Sequence, residues 1–241
     1  GMQVPPNIYY SPLHTQHCDP YFENCVFKDN NHFADGGAVN TFNSYPEFVN
    51  CTFENNFASG DGGAVAGYGI FTNCMFIGNE ANFSSGAIDG GGTITNCTFE
   101  NNWAYTQGGA MSFGSGALID CTFQDNYAAD GGAISIPEYG HPLIDRCVFK
   151  NNIAERGGAI YSWGGQPVVQ NSIFDSNGTP LCHGGVFYLE YYGDRERDYI
   201  INISNCLMVN NLSLSAAMHF GKRNEKSIDV SNCILWGNTP K

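Results

Sequence analysis

Apolar and polar positions along the chain return on a cycle of about 23 to 26 residues. The unit is Cys-x-Phe-x-x-Asn. It occurs as Cys25/Phe27/Asn30, Cys51/Phe53/Asn56, Cys74/Phe76/Asn79, Cys97/Phe99/Asn102, Cys121/Phe123/Asn126 and Cys147/Phe149/Asn152. Looser copies follow at Ser172/Phe174/Asn177, Cys206/Met208/Asn211 and Cys233/Leu235/Asn238. Cys and Phe are two residues apart, so both side chains face one side of a short strand. An apolar residue stands three positions before each Cys column, from Phe22, Phe48 and Phe71 through Ile94, Leu118, Ile144, Val169 and Ile203 to Val230. That odd offset requires a bend between the two, near the Asn that usually precedes the Cys. A second bend falls at the Asn of FxxN, and Pro or Gly five residues before the Cys marks a third.

A small-residue strand follows each FxxN, for example GGAV at 36–39 and 62–65 and GGAI at 131–134 and 157–160. Three short strands and three bends make one triangular coil. Stacking the coils pairs like strand over like strand about 4.8 Å apart. The predicted fold is therefore all-β, a right-handed, single-stranded parallel β-helix of about nine coils. Cys and Phe ladders fill its interior, Asn amides bond from coil to coil, and the doubled glycine admits backbone where a Cβ would clash. A helical reading fails on the Gly-Gly pairs and the β-branched and aromatic content. A leucine-rich repeat lacks its leucine pattern.

The repeat divides the chain into an N-terminal cap segment, 1–20, and a β-helix over 21–241 with an insertion loop at 190–200. Solenoid ends expose strand edges and call for covering, which gives the Pro- and Tyr-rich start its expected role. The last rung, NCILWGNTPK, has no such cover, so native chain beyond Lys241 or a partner is expected there. Gly1 before Met2 reads as an expression scar, so the start leaves the compartment open. The insertion, EYYGDRERDYI, concentrates aromatics and charge.

Composition narrows the partners. The formal net charge is −13 and only 14% of residues are charged. That balance argues against nucleic acid, which is held through Lys and Arg on phosphates, and against anionic membranes. No apolar run is long enough to span a bilayer. Eight of the ten cysteines occupy the ladder column, which Ser172 shares, so they read as small buried hydrophobes rather than disulfide partners. Cys18 and Cys182 lie off the ladder, about six rungs or roughly 29 Å apart, too far to bridge.

NCTFENN followed by GGA[ILV] resembles the FxxN and GGA[ILV] repeats of chlamydial polymorphic outer-membrane proteins and related bacterial β-helix proteins, over about residues 22–238. The resemblance implies a surface-exposed passenger of adhesin type, secreted or on the bacterial cell surface. Such passengers normally continue into a membrane-anchored barrel or another C-terminal module.

Chemistry is expected on the GGA strand, where the residue after the apolar one points outward. That column reads Asn40, Ala66, Asp89, Ser112, Ser135, Tyr161, Tyr188, His219. Its aromatic end, with Trp163, Glu190, Tyr191, Arg195 and Arg197 nearby, has the make-up of a glycan-binding face: rings stack on sugars, and carboxylates and guanidinium bond hydroxyls or uronates. The leading reading is a non-catalytic rigid passenger or stalk binding a polysaccharide or a host or cell-surface glycan near 161–200. The alternatives are a polysaccharide lyase or glycoside hydrolase on the same face, with Glu190 and Arg195 as catalytic candidates, and a purely structural spacer. No spacing enforces the carboxylate pair that glycoside hydrolysis needs. No cofactor is expected. A Ca2+ ion could be shared by Asp35 and Asp61 on adjacent rungs, with local turn hydrogen bonds the simpler role. His14, His17, Cys18 and Asp19 lack a second ligand pair for zinc.

Overall fold

The computed structural model describes residues 12–190, 200–221 and 227–240. Every regular element among them is a short β-strand, and every pairing between strands is parallel. Nine strands carry the Cys-x-Phe unit and stack in chain order, from Val26–Lys28 and Thr52–Glu54 to Leu207–Val209 and Ile234–Trp236. Phe27, Phe53, Phe76, Phe99, Phe123, Phe149 and Phe174 lie over one another in strict register. Their rings are 4.7–4.9 Å apart and within 6° of parallel. The ring spacing is the strand spacing, so one rotamer serves every rung and the core repeats without voids. The apolar column three residues before the Cys pairs in the same way from Phe22 to Val230.

The bends fall where the Asn columns predict. Asn24, Asn50, Asn73, Asn96, Asn171, Asn205 and Asn232 all take left-handed backbone, φ 51–55°, a region Asn tolerates better than other side chains. The FxxN asparagines form a second, buried ladder. Asn79 donates from its backbone N–H and from Nδ2 to Asn102 Oδ1, each at 3.0 Å, and from Nδ2 also to the Phe53 carbonyl at 3.0 Å. The amide-to-amide link recurs at every rung from Asn30 to Asn238.

All ten cysteines are free. Cys97 Sγ donates to the Thr95 carbonyl at 3.3 Å and accepts the Cys74 N–H at 3.3 Å. Ser172 does the same work, donating to Gln170 O at 2.7 Å and accepting the Cys147 N–H at 3.1 Å. Burial pushes the Cys51 and Cys206 thiols up to about 11, which keeps them protonated and unreactive at neutral pH. The doubled glycine is also accounted for. Gly62 has φ +69°, and a Cβ on Gly63 would stand 2.1 Å from the Gly86 carbonyl oxygen of the next rung.

Three features differ from the predicted coil. A fourth short sheet, Asn31–His32, Phe57–Ala58, Glu80–Ala81 and Trp103–Ala104, follows the FxxN bend. Ala58, Ala81 and Ala104 are fully buried in it, in the column that His32 begins. Gly92 and Gly116 do not interrupt the chain. They lie inside Ile88–Thr95 and Met111–Ile119, with a register shift between Gly90 and Gly92. Within the segment expected to cap the stack, Leu13–Gln16 pairs in register with Val39–Phe42 and so extends the glycine-side sheet.

Candidate functional site

The outward column is in register as predicted: Asn40, Ala66, Asp89, Ser112, Ser135, Tyr161, Tyr188 and His219 pair successively. At its far end the rings continue one per rung. Tyr161 and Tyr188 stack at 5.9 Å, Tyr188 and His219 at 4.5 Å, and His183 meets His219 edge-on at 6.0 Å.

Tyr161 departs from the expectation. It points away from the Phe core but is only 4% exposed, because Arg156 lies across it. The guanidinium carbon is 5.0 Å from the Tyr161 ring centre and 5.6 Å from that of Tyr188. Its Nε and Nη2 donate to the two carboxylate oxygens of Asp130 at 2.7 and 2.6 Å, and Nη1 donates to Glu190 Oε2 at 3.1 Å. Glu190 also accepts from the hydroxyls of Tyr161 at 3.2 Å and Tyr188 at 3.4 Å. Burial pushes the Asp130 carboxyl up and Arg156 opposes that push. The chelating geometry keeps the pair ionised. Asp130 in turn holds Arg156 above its ordinary range, and burial pushes the Tyr161 hydroxyl above its own.

Glu190 is thus an anchor that three side chains hold in place, rather than an exposed acid. Trp163 stands on the same strand face two residues beyond Tyr161, pairs with Glu190 and is 42% exposed. Tyr191, Arg195 and Arg197, with most of the insertion, lie outside the described residues.

The sequence reading did not bring in Arg156. The residue before each Gly-Gly forms its own column, with bridges from Ser84 through Gln107, Asp130 and Arg156 to His183. One rung separates Asp130 from Arg156, which the alignment of repeats contains once that column is followed past Asp35 and Asp61. Those two aspartates bond from rung to rung and not within their own turns: Asp35 Oδ1 accepts the Asp61 N–H at 2.9 Å, and Asp61 Oδ1 accepts the Ser84 N–H at 2.8 Å. Among the described residues, no three His, Cys, Asp or Glu side chains converge as a metal site.

Asp130 also lines a cleft of about 400 Å³ on the adjoining corner, with Trp103, Tyr105, Gln107, Tyr127 and Glu155. Trp103 and Tyr127 bridge on adjacent rungs, and their rings lie 6.4 Å apart and 6° from parallel. Tyr105 tilts 56° to Trp103 at 6.3 Å. Tyr105 and Tyr127 are exposed. The sequence carried this signal too, since Trp103 in NNWAY and Tyr127 in DNYAA occupy one column, just before the buried Ala. Cleft and clamp meet at Asp130, which lines the one and chelates Arg156 in the other.

The comparisons agree with this architecture. Residues 86–241 match the model of the right-handed beta helix region. Residues 50–68 match the repeat of the Chlamydia polymorphic membrane protein. No similar chain was found among curated proteins or solved structures. With a parallel stack in register throughout the described rungs and a family match over roughly two thirds of its length, the chain belongs to the right-handed β-helix family.

Proposed function

We propose that the chain is a non-catalytic, surface-displayed β-helix of a bacterial protein, a rigid passenger that binds carbohydrate on its outer strip. The surface assignment is supported by the polymorphic membrane protein repeat matched at residues 50–68. The binding reading is carried by one observation: the parallel, stacked Trp103 and Tyr127 rings, one rung apart at a cleft that also holds Asp130 and Glu155. Flat rings cover the apolar faces of pyranoses, and carboxylates accept bonds from their hydroxyls. The strip runs from this cleft over the Arg156 clamp to Tyr188, His219 and the exposed Trp163.

The test is retention on a panel of plant, algal and host polysaccharides, with new chain ends scored in the same samples. Retention without cleavage is expected. Trp103→Ala or Tyr127→Ala should weaken it about tenfold, which corresponds to about 1.4 kcal/mol per ring. New chain ends would replace this reading with a lyase or hydrolase. Absence of both would leave a spacer.

A further inference from the structure

We infer that Asn82 is an acceptor for an N-linked glycan, attached from a lipid pyrophosphate-linked oligosaccharide as the chain is exported; this rests on the surface display proposed above and not on carbohydrate binding. The acceptor pattern Asn-x-Ser/Thr occurs six times, at Asn50, Asn82, Asn96, Asn177, Asn202 and Asn211. Two of the six carry an acid two residues earlier, Glu80 before Asn82 and Asp175 before Asn177, and such an acid gives a transferase site a charge to grip. The fold separates these two. Asn177 is fully buried in the ladder, where its Nδ2 donates to the Phe149 carbonyl at 2.9 Å and to Asn211 Oδ1 at 3.0 Å. Asn82 is exposed at the bend after Glu80–Ala81, and Glu80 is exposed with it. The Asn82 side-chain amide makes no hydrogen bond among the described residues. The remaining four lack the acid, and Asn50, Asn96 and Asn211 also commit Nδ2 to a neighbouring rung.

In the transfer, Nδ2 of Asn82 bonds to the anomeric carbon of the donor and the bond from that carbon to the pyrophosphate oxygen breaks. The lipid pyrophosphate leaves with the electron pair, and one amide proton passes to a base of the transferase. The surroundings suit the product. Glu80 and Ala81 pair with Trp103 and Ala104, which sets Tyr105 beside Asn82 on the next rung. Tyr105 is 66% exposed and Phe83, the residue after Asn82, is 59% exposed, so two rings stand in water where the first sugars can cover them. The Ser84 hydroxyl sets the timing. It lies 2.9 Å from Thr106 Oγ1, which itself donates to the Phe83 carbonyl at 2.9 Å. Once the Thr106 rung stacks, the hydroxyl that a transferase reads is already committed. The transfer therefore belongs to the emerging chain, before that rung closes. The folded product keeps the glycan only at Asn82, since a sugar on Asn177 has no room in the ladder.

The test produces the full chain, with an export leader supplied, in bacteria that carry a single-subunit oligosaccharyltransferase and its lipid-linked donor. Folded product is weighed intact and its peptides are mapped. One glycan per chain is expected, on the peptide that holds Asn82. It should be absent from Asn82→Gln and about tenfold less abundant in Glu80→Gln. Asn82→Gln should keep the parent's denaturation midpoint, so that a missing glycan is not a missing fold. A free peptide of residues 78–86 is offered to the same enzyme. A modified peptide with a bare chain overturns the inference, because the corner is then closed to the enzyme. A bare peptide with a bare chain overturns it because the pattern is not read. Glycan on another Asn overturns the site, and equal glycan in Glu80→Gln overturns the part given to Glu80. Because the leader is supplied, a negative result bears on Asn82 alone, while surface display and polysaccharide retention are measured on the unmodified chain.

Discussion

Asp89 is a carboxyl that its surroundings oppose. Burial pushes it up to about 6, and the charges of Asp61 and Asp35 add to the push. Ser85 Oγ–H donates to it at 3.0 Å and offsets only part of that. The folded chain thus holds this proton more tightly than the unfolded chain, whose carboxyl titrates near the ordinary 3.9. The associated stability is fully present below about pH 4 and is lost as the pH rises through about 6. Asp89→Asn should therefore stabilise at pH 7 by about 1–3 kcal/mol, with the gain gone by pH 4, as read from urea midpoints at the two pH values. A variant destabilised equally at both would show that the carboxylate is favourable where it stands. At this scale the sequence was legible wherever a column repeats. Asp89 was placed correctly in the outward column, but its half-buried setting was not foreseen, since alternation along a strand shows direction and says nothing of what lies above. Tyr161 is the same case: Arg156 comes from a different corner of the coil, and only the rung-to-rung offset of the Gly-Gly column connects the two.

The Asn ladder is one element spread over the whole stack, and its bonds are shared. Removing the Asn102 side chain takes the Oδ1 acceptor from the Asn79 N–H and from one Nδ2 hydrogen of Asn79, whose other hydrogen keeps the Phe53 carbonyl, and takes the Nδ2 donor from the Phe76 carbonyl and from Asn126 Oδ1, which keeps the Asn102 N–H. These groups are buried. Asn102→Ala should therefore destabilise by about 1–3 kcal/mol, and an unchanged denaturation midpoint would show that water replaces the amide at that corner. The elements themselves were largely readable, because Cys-x-Phe alternation, the preceding Asn and the Gly-Gly pair each mark one strand or bend. The short fourth strand was not. Two residues around a buried Ala are too few to show any alternation, and an isolated small residue between two bends reads as turn. At Gly92 and Gly116 glycine, which usually signals a break, marks only a register shift, and the strands run on through it.

Over the whole molecule each rung touches only its two neighbours, so stability is close to a sum of rung and interface contributions. Protection of the backbone amides should then fall from the middle of the stack toward both ends. Hydrogen exchange should be slowest along Thr98–Glu100, Thr122–Gln124 and Val148–Lys150 and faster along Val26–Lys28 and Ile234–Trp236. Uniform protection would mean that the stack opens only as a unit. The global fold was legible because the same information is written many times, and an error in one rung is outvoted by the others. The candidate site was only partly legible because its parts are written once. Arg156 and Glu190 are departures from the repeat, and departures carry no period. The strict one-rung register also determines how such a rod answers force. Pulled along its axis, the strand and Asn bonds between rungs are loaded directly and give way one interface at a time, like a zip. Most events free the 23–26 residues of one coil, roughly 80 Å of extended chain, and the coil between Asn177 and Asn211 frees 34. A rod built this way would lengthen step by step while the rungs still stacked kept their shape.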